Sequence, residues 1–174
     1  MKKRLALPTV LILVSALLLA GCGSKKNTAS SNGSSDALVQ GSTASKTGAF
    51  GSAITLSDGI TLTLSAPTTF TPGQFATNYV AGQTANIFDV TVKNSGSAVL
   101  DPATISLQVA SGANNCVDVL DGDNGLNGAP TDPITSGSES TFKFGIACDA
   151  KSGDPLNIIV SVGSSIVAVD GKLS

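Results

Sequence analysis

The stretch IFDVTVKN, residues 87–94, alternates apolar and polar side chains. In an extended chain, Phe88, Val90 and Val92 would share one face, and the polar residues between them would share the other. A period of two residues predicts a half-buried β-strand. The same alternation recurs in four further stretches: ITLTLSA at 60–66, ISLQV at 105–109, TFKFGIAC at 141–148 and LNIIVSV at 156–162.

The segments between these strands are rich in turn-forming residues. Examples are Ser57-Asp58-Gly59, Asn94-Ser95-Gly96 and the DGDNGLNG run that begins at Asp121. Asp, Asn and Gly stabilise tight turns through side-chain hydrogen bonds or a positive φ. No stretch of the sequence carries a helical apolar period of helix length. The pattern predicts an all-β fold, an antiparallel β-sandwich of about seven strands.

The first 22 residues have the features of an export signal. Three basic residues near the start precede an apolar run from Leu5 to Ala20, and LAGC (residues 19–22) matches the lipobox of bacterial lipoproteins. The match predicts a signal peptide at 1–21, cleavage before Cys22, and lipidation of the Cys22 thiol. Two or more acyl chains hold a protein stably on a membrane, so we expect a lipid-anchored protein that faces away from the cytoplasm. The alternative is an uncleaved N-terminal anchor with a coincidental cysteine.

Residues 22–49 are dominated by Ser, Gly, Thr, Asn and Ala without an apolar period. Such a composition buries too little apolar surface to offset the entropy of ordering, which predicts a flexible linker. The sandwich domain is expected at 50–174. Within it lie Cys116 and Cys148, the two thiols left once Cys22 is lipidated. In an exported protein two such thiols predict a disulfide.

Composition excludes several classes of function. From Phe50 onward four lysines face eleven acidic residues, a net charge of −7, so a phosphate backbone would be repelled and nucleic acid is not an expected partner. The chain has no histidine, which rules out a Ser-His-Asp or Cys-His nucleophile. We therefore expect no enzyme. A carboxylate-dependent hydrolase is the remaining catalytic alternative, since two acidic residues at the right separation would suffice.

An acidic loop, DVLDGDNGLNGAPTD at 118–132, is the best candidate for a ligand site. Asp118, Asp121 and Asp123, with Asn124 and Asp132, offer the hard oxygen ligands that suit Ca²⁺. The spacing is not that of an EF-hand, because the twelfth place counted from Asp121 is Asp132 and not a glutamate. The loop is thus either a weak calcium site or an acidic turn without a metal, and no other cofactor is expected.

Three stretches together resemble a known family. They are ITLSDGITLTLSAP at 54–67, FDVTVKNSGSAVLDP at 88–102 and PITSGSESTFKFGIAC at 133–148. They are similar to the Ig-like domain of unknown function found in lipoproteins and secreted proteins of Gram-positive bacteria, related in fold to immunoprotective extracellular proteins. The resemblance covers about residues 52–169. It implies an immunoglobulin-like β-sandwich with an extracytoplasmic lipoprotein or binding role, and it carries no catalytic residues.

These observations predict a lipid-anchored, non-enzymatic binding or interaction module of the bacterial cell envelope. The expected partners are the membrane, through the anchor, and an envelope or surface protein. The alternative is a structural envelope or surface-antigen lipoprotein without a specific ligand. An exposed apolar patch beside the turns would favour the interaction module, and a uniformly polar surface would favour the structural one.

Overall fold

The computed structural model describes residues 44–174. The predicted signal peptide, the lipidation site Cys22 and most of the predicted linker lie outside these residues. The described chain forms eleven strands: β1 Lys46–Ala49, β2 Ile54–Thr55, β3 Ile60–Leu64, β4 Thr68–Thr69, β5 Thr84–Asn94, β6 Ile105–Ser111, β7 Asn114–Asn115, β8 Val117–Val119, β9 Glu139–Cys148, β10 Pro155–Val162 and β11 Ser165–Lys172. From residue 44 to 174, no helix is long and apolar enough to cross a membrane.

The strands form two sheets that pack face to face, which confirms the predicted β-sandwich. The first sheet has the order β1-β11-β10-β6-β7, and the second has the order β2-β3-β5-β9-β8, with β4 paired to β5. Strand pairs are antiparallel except one, because β1 runs parallel to β11. At that edge a first strand and a last strand meet without a hairpin to set their direction, and every other strand pair keeps the predicted antiparallel arrangement.

The core is built by the alternating strands. Phe88, Val90 and Val92 of β5 face the interior and are at most 2% exposed. Across the ladder Phe88 pairs with Phe144 of β9, whose ring centroid lies 5.6 Å from that of Phe88. Ile158 and Val160 of β10 close the core from the first sheet. The period of two therefore determines which side chains the sandwich buries.

Two differences from the sequence analysis concern the ends of the domain. Lys46–Ala49, assigned to the linker, forms β1, and its backbone pairs with residues 167–170 of β11. The four residues carry no apolar alternation, so only the neighbouring strand orders them. At the other end, β11 adds a strand after a two-residue loop, with Val162 opposite Ser165 and Gly163 at φ +57°. The positive φ that this loop needs is available to glycine at little cost.

Asn94 ends β5 and organises the turns at this end of the sandwich. It is fully buried, and its Nδ2 donates to the carbonyls of Ala98 (2.7 Å) and Ile134 (2.8 Å). Its Oδ1 accepts from the Gly96 N–H at 3.0 Å. Asn94 thereby fixes the loop that leads to β6 against the loop that leads to β9. A buried amide with all of these partners satisfied is a structural residue.

Candidate functional site

The chain passes from the first sheet to the second twice, on opposite sides of the sandwich. On the side that we call the closed side, β1 is followed by Phe50, whose ring lies 6.4 Å from that of Phe88. Gly171 of β11 leaves the space that this ring occupies, since a Cβ atom there would collide with it. Ile54 of β2 is also buried in the core. Large side chains therefore fill the gap between the sheets on the closed side.

On the other side, which we call the open side, the crossing runs from β7 to β8. A disulfide joins Cys116 to Cys148, as the sequence predicted, with the two Cα atoms 4.4 Å apart. Cys116 lies between β7 of the first sheet and β8 of the second sheet, and Cys148 is the last residue of β9. The disulfide thus holds the two sheets together at one point on this side.

Beyond the disulfide a cleft of about 270 Å³ opens between β6 and the pair β8 and β9. Leu107 of β6 lines one wall, and Phe142 and Phe144 of β9 line the floor. These three side chains belong to the inner faces of the sheets but are only partly buried. The cleft therefore presents apolar core side chains to ligands in solvent, which is the usual lining of a binding site.

Asp118 supplies a charge in the wall of the cleft. It pairs with Ile146 across the β8–β9 ladder, so its side chain lies on the inner face. Desolvation raises the pKa of the Asp118 carboxyl above its ordinary value. The one other titratable residue among those that line the cleft is Lys143. Lys143 pairs with Asp89 across the β5–β9 ladder and lies on the outer face, so Asp118 is the charge on the inner face. An apolar floor with this carboxylate suits recognition of a ligand that is apolar in part and carries a positive charge.

The predicted calcium ligands lie in two places. Asp121 is buried, and its Oδ2 accepts from the Gly73 N–H (2.7 Å) and from Asn124 Nδ2 (2.8 Å). Asp123 also approaches Gly73, since a Cβ added there would lie 3.3 Å from Asp123 Oδ2. Asp118 faces the cleft instead. Within residues 44–174, no three His, Cys, Asp or Glu side chains form a group that could hold a metal ion.

The hydrogen bonds of Asp121 give this carboxylate a structural role. The Gly73 N–H, followed by the Asn124 amide, lowers the pKa of the Asp121 carboxyl and keeps it charged as a structural acceptor. The structure thus places Asp118 apart from Asp121 and Asp123, and calcium binding by these residues stays a prediction. Asp121 instead fastens a loop at residues 70–83, which we call the covering loop.

The covering loop lies over the outer face of the second sheet. Its Phe70, Ala76 and Tyr79 pack against a small apolar cluster of Val119, Leu126 and Ala147. The Thr77 N–H donates to the Leu120 carbonyl (2.9 Å), and Asn78 Nδ2 donates to the Asp118 carbonyl (3.0 Å). The loop thus pairs with the outer edge of β8. Sequence reasoning missed this role because the loop has no period of its own.

Exposed apolar side chains concentrate near the same corner of the molecule. Five large hydrophobic residues are exposed in the described chain, and four of them belong to the covering loop or to β8 and the residue that follows it. These four are Phe75, Val80, Val117 and Leu120. Leu120 also lines the cleft. Four exposed apolar side chains thus belong to the covering loop and to β8 with its next residue, the elements that border the cleft on the side of the second sheet.

Comparison with known proteins places the fold and leaves the family open. No family model and no curated protein matches the chain. Among solved structures, it is similar to a Bacillus subtilis protein described as a "putative lipoprotein (ycdA)", with a TM-score of 0.55 and 14% identity over 67% of this chain. The match spans only 37% of that protein. It is also similar to the yjhA protein of Bacillus subtilis, with a TM-score of 0.52 and 10% identity over 72% of this chain and 98% of that one.

Both similarities lie at an identity that shows the fold alone. They agree with the two-sheet architecture described above and add no ligand or reaction. The resemblance to the Ig-like lipoprotein family stays a prediction from the sequence.

Proposed function

We propose that this protein is a non-enzymatic interaction module of the bacterial cell envelope, held to the membrane by lipid on Cys22, which binds a protein partner in the open-side cleft. The cleft itself is the observation that carries the proposal. It exposes Leu107, Phe142 and Phe144 between the two sheets, beside the exposed Leu120. Binding energy concentrates where aromatic and aliphatic side chains meet a partner in a concave, desolvated site.

Two further features support the envelope location. The Cys116–Cys148 disulfide suits the oxidising conditions outside the cytoplasm. The LAGC motif at 19–22, after a basic start and an apolar run, is the signal that directs lipidation of a cysteine in bacterial lipoproteins. A binding role without catalysis is supported by the make-up of the cleft, where the titratable residues are Asp118 and Lys143.

The anchor is tested by mass spectrometry of the mature protein isolated from membranes. The expected N-terminus is Cys22 carrying acyl chains, and Cys22→Ser should leave the signal peptide uncleaved. A wild-type protein that retains residues 1–21 would contradict the anchor.

The cleft is tested by photochemical cross-linking in intact cells. A photoreactive amino acid is placed at Ala129, an exposed residue that lines the cleft, and at Thr55, an exposed residue of β2 on the closed side. We expect a covalent conjugate with one envelope protein from position 129 and none from position 55. Phe142→Ala, which removes part of the floor, should reduce the yield. Equal conjugates from both positions, or none from position 129, would argue for the structural alternative.

A further inference from the structure

Strand β6 has a free edge along most of its length. On one side, residues 105–110 pair with β10. On the other side, β7 pairs only with Ala110 and Ser111. Within the described chain, residues 105–109 therefore have no neighbouring strand on the side that faces the cleft. This edge is longer than β1 or β2, the outer strands on the closed side.

The backbone groups on this edge point toward the cleft. The Cys116 N–H donates to the Val109 carbonyl (2.9 Å), so the backbone of Val109 is directed away from β10. Since backbone polar groups alternate along a strand, the N–H and C=O of Leu107 point the same way. The stretch ISLQV contains neither the lysine nor the proline with which proteins commonly protect an edge strand.

The edge of β8 across the cleft is protected. Thr77 and Asn78 of the covering loop bond to the Leu120 and Asp118 carbonyls, and these bonds take the place of a neighbouring strand. Of the two strands that border the cleft, β8 is thus covered by the protein's own chain, and β6 has room for a partner strand.

Resting on the function proposed above, we infer that the cleft binds an extended polypeptide segment, which adds a strand to the β6 edge at Leu107. The segment would place alternate apolar side chains over Phe142 and Phe144 and one Lys or Arg beside Asp118. In strand addition, main-chain hydrogen bonds supply affinity and pockets for alternate side chains supply specificity. The cleft provides both, with a free strand edge on its wall and aromatic rings on its floor.

Charge complementarity favours a basic segment. Asp118 faces the cleft from the inner face of β8, whereas Lys143 lies on the outer face of β9, and residues 50–174 carry four lysines against eleven acidic residues. An acidic segment would approach a surface of its own sign, whereas a Lys or Arg would be attracted over a distance of about 10 Å at ordinary salt.

The experiment uses the full-length mature protein in detergent as bait for a displayed library of random twelve-residue peptides. We expect the enriched peptides to alternate apolar and polar residues and to share one Lys or Arg. The Kd of a synthetic copy of the most enriched peptide is then measured by calorimetry. Failure to enrich any peptide, or enrichment of acidic ones, would overturn the inference.

Matched variants at Leu107 test the main-chain contact. Leu107→Pro removes the outward N–H without removing a bond to β10, and Leu107→Ala keeps the N–H while shortening the side chain. We expect Leu107→Pro to bind the peptide about tenfold more weakly than Leu107→Ala does. Equal affinities of the two variants would show that no strand is added.

Amide hydrogen exchange gives a second readout on the unmodified protein. The peptide should slow exchange at the Leu107 N–H and leave that of Gln108, which points toward β10, unchanged. Asp118→Asn should reduce the preference for a basic residue over a neutral one. An unchanged Leu107 amide, or a preference that survives Asp118→Asn, would contradict the proposed orientation.

The outcomes separate this inference from the proposed function. If position 129 cross-links a protein but no library peptide protects the Leu107 amide, the partner binds the cleft without strand addition and only the inference fails. If the chain instead forms a dimer in sedimentation that Leu107→Pro dissociates, a second copy occupies the edge and the inference fails likewise. If neither cross-linking nor peptide binding is found, both fail.

Discussion

The closed side and the open side of the sandwich differ in what occupies the gap between the sheets. On the closed side, Phe50 and Ile54 enter the core next to a glycine, Gly171, that makes room for the ring. On the open side, a disulfide joins the sheets at one end, and Phe142 and Phe144 lie partly exposed beyond it. On the closed side Ile54 is 8% exposed and Phe50 packs against the core, whereas the two rings on the open side line a cleft that solvent reaches.

On the open side, the largest effect is expected from breaking the one covalent connection between the sheets. Replacing both Cys116 and Cys148 with alanine releases a loop whose ends are 32 residues apart, which should lower the free energy of unfolding by about 3–4 kcal/mol. Urea denaturation with and without a reducing agent measures the change. Non-reducing peptide mapping of the wild type is the control, and two free thiols there would contradict the disulfide.

An intermediate effect is expected from overfilling the closed side. Gly171→Ala places a Cβ atom against the Phe50 ring and should lower the free energy of unfolding by about 1–3 kcal/mol. Gly122→Ala is the matched control, since a Cβ atom there meets nothing nearer than Asn127 Oδ1 at 3.9 Å. Thermal unfolding measures the melting temperatures of both variants, and equal values would show that the closed side is not tightly packed.

A smaller effect is expected when an aromatic ring is removed from the open side. Phe142→Ala should cost about 1 kcal/mol, because the ring already faces solvent in part and its removal enlarges a cleft that water reaches. Phe88→Ala, at a ring that is 2% exposed, is the buried counterpart and should cost about 3–5 kcal/mol. Similar losses from the two substitutions would mean that the cleft is closed in solution.

The smallest effects concern pH, and they have opposite signs at the two acidic residues. The ordinary pKa of an aspartate is 3.8, and the lowered pKa of Asp121 means that its charged form stabilises the fold at pH values above 3.8. This contribution is lost as pH falls below 3.8 through the folded-state pKa. The raised pKa of Asp118 means that ionisation in the cleft opposes folding as pH rises above 3.8.

Asp121→Asn should therefore destabilise the protein at neutral pH, while Asp118→Asn should stabilise it by no more than about 0.5 kcal/mol. Urea midpoints of both variants between about pH 2 and pH 7 measure the difference. The two variants should converge with the wild type at the acidic end, and a gap of constant size across this range would contradict the assignment.

Local patterns account for the parts of the fold that sequence reasoning predicted. The five stretches of period two became β3, β5, β6, β9 and β10, because alternation alone decides which face of a strand is buried. Strands such as β1, β7 and β8 are short and lack alternation, so only a neighbouring strand defines them. The covering loop was missed because it too lacks alternation, and because the bond that holds it joins Gly73 to Asp121, which are far apart in sequence.

The sandwich class, the inward residues of the long strands and the pairing of Cys116 with Cys148 follow from the amino-acid sequence alone. It also predicts lipidation at Cys22, a residue outside the described chain. These features depend on side-chain period, turn residues and the count of thiols, all of which are local or compositional. The free edge of β6, the position of Asp118 at a cleft and the loop contact of Asp121 become visible only in the folded molecule. Those outcomes depend on which distant segments of the chain contact each other, and packing between the two sheets determines these contacts.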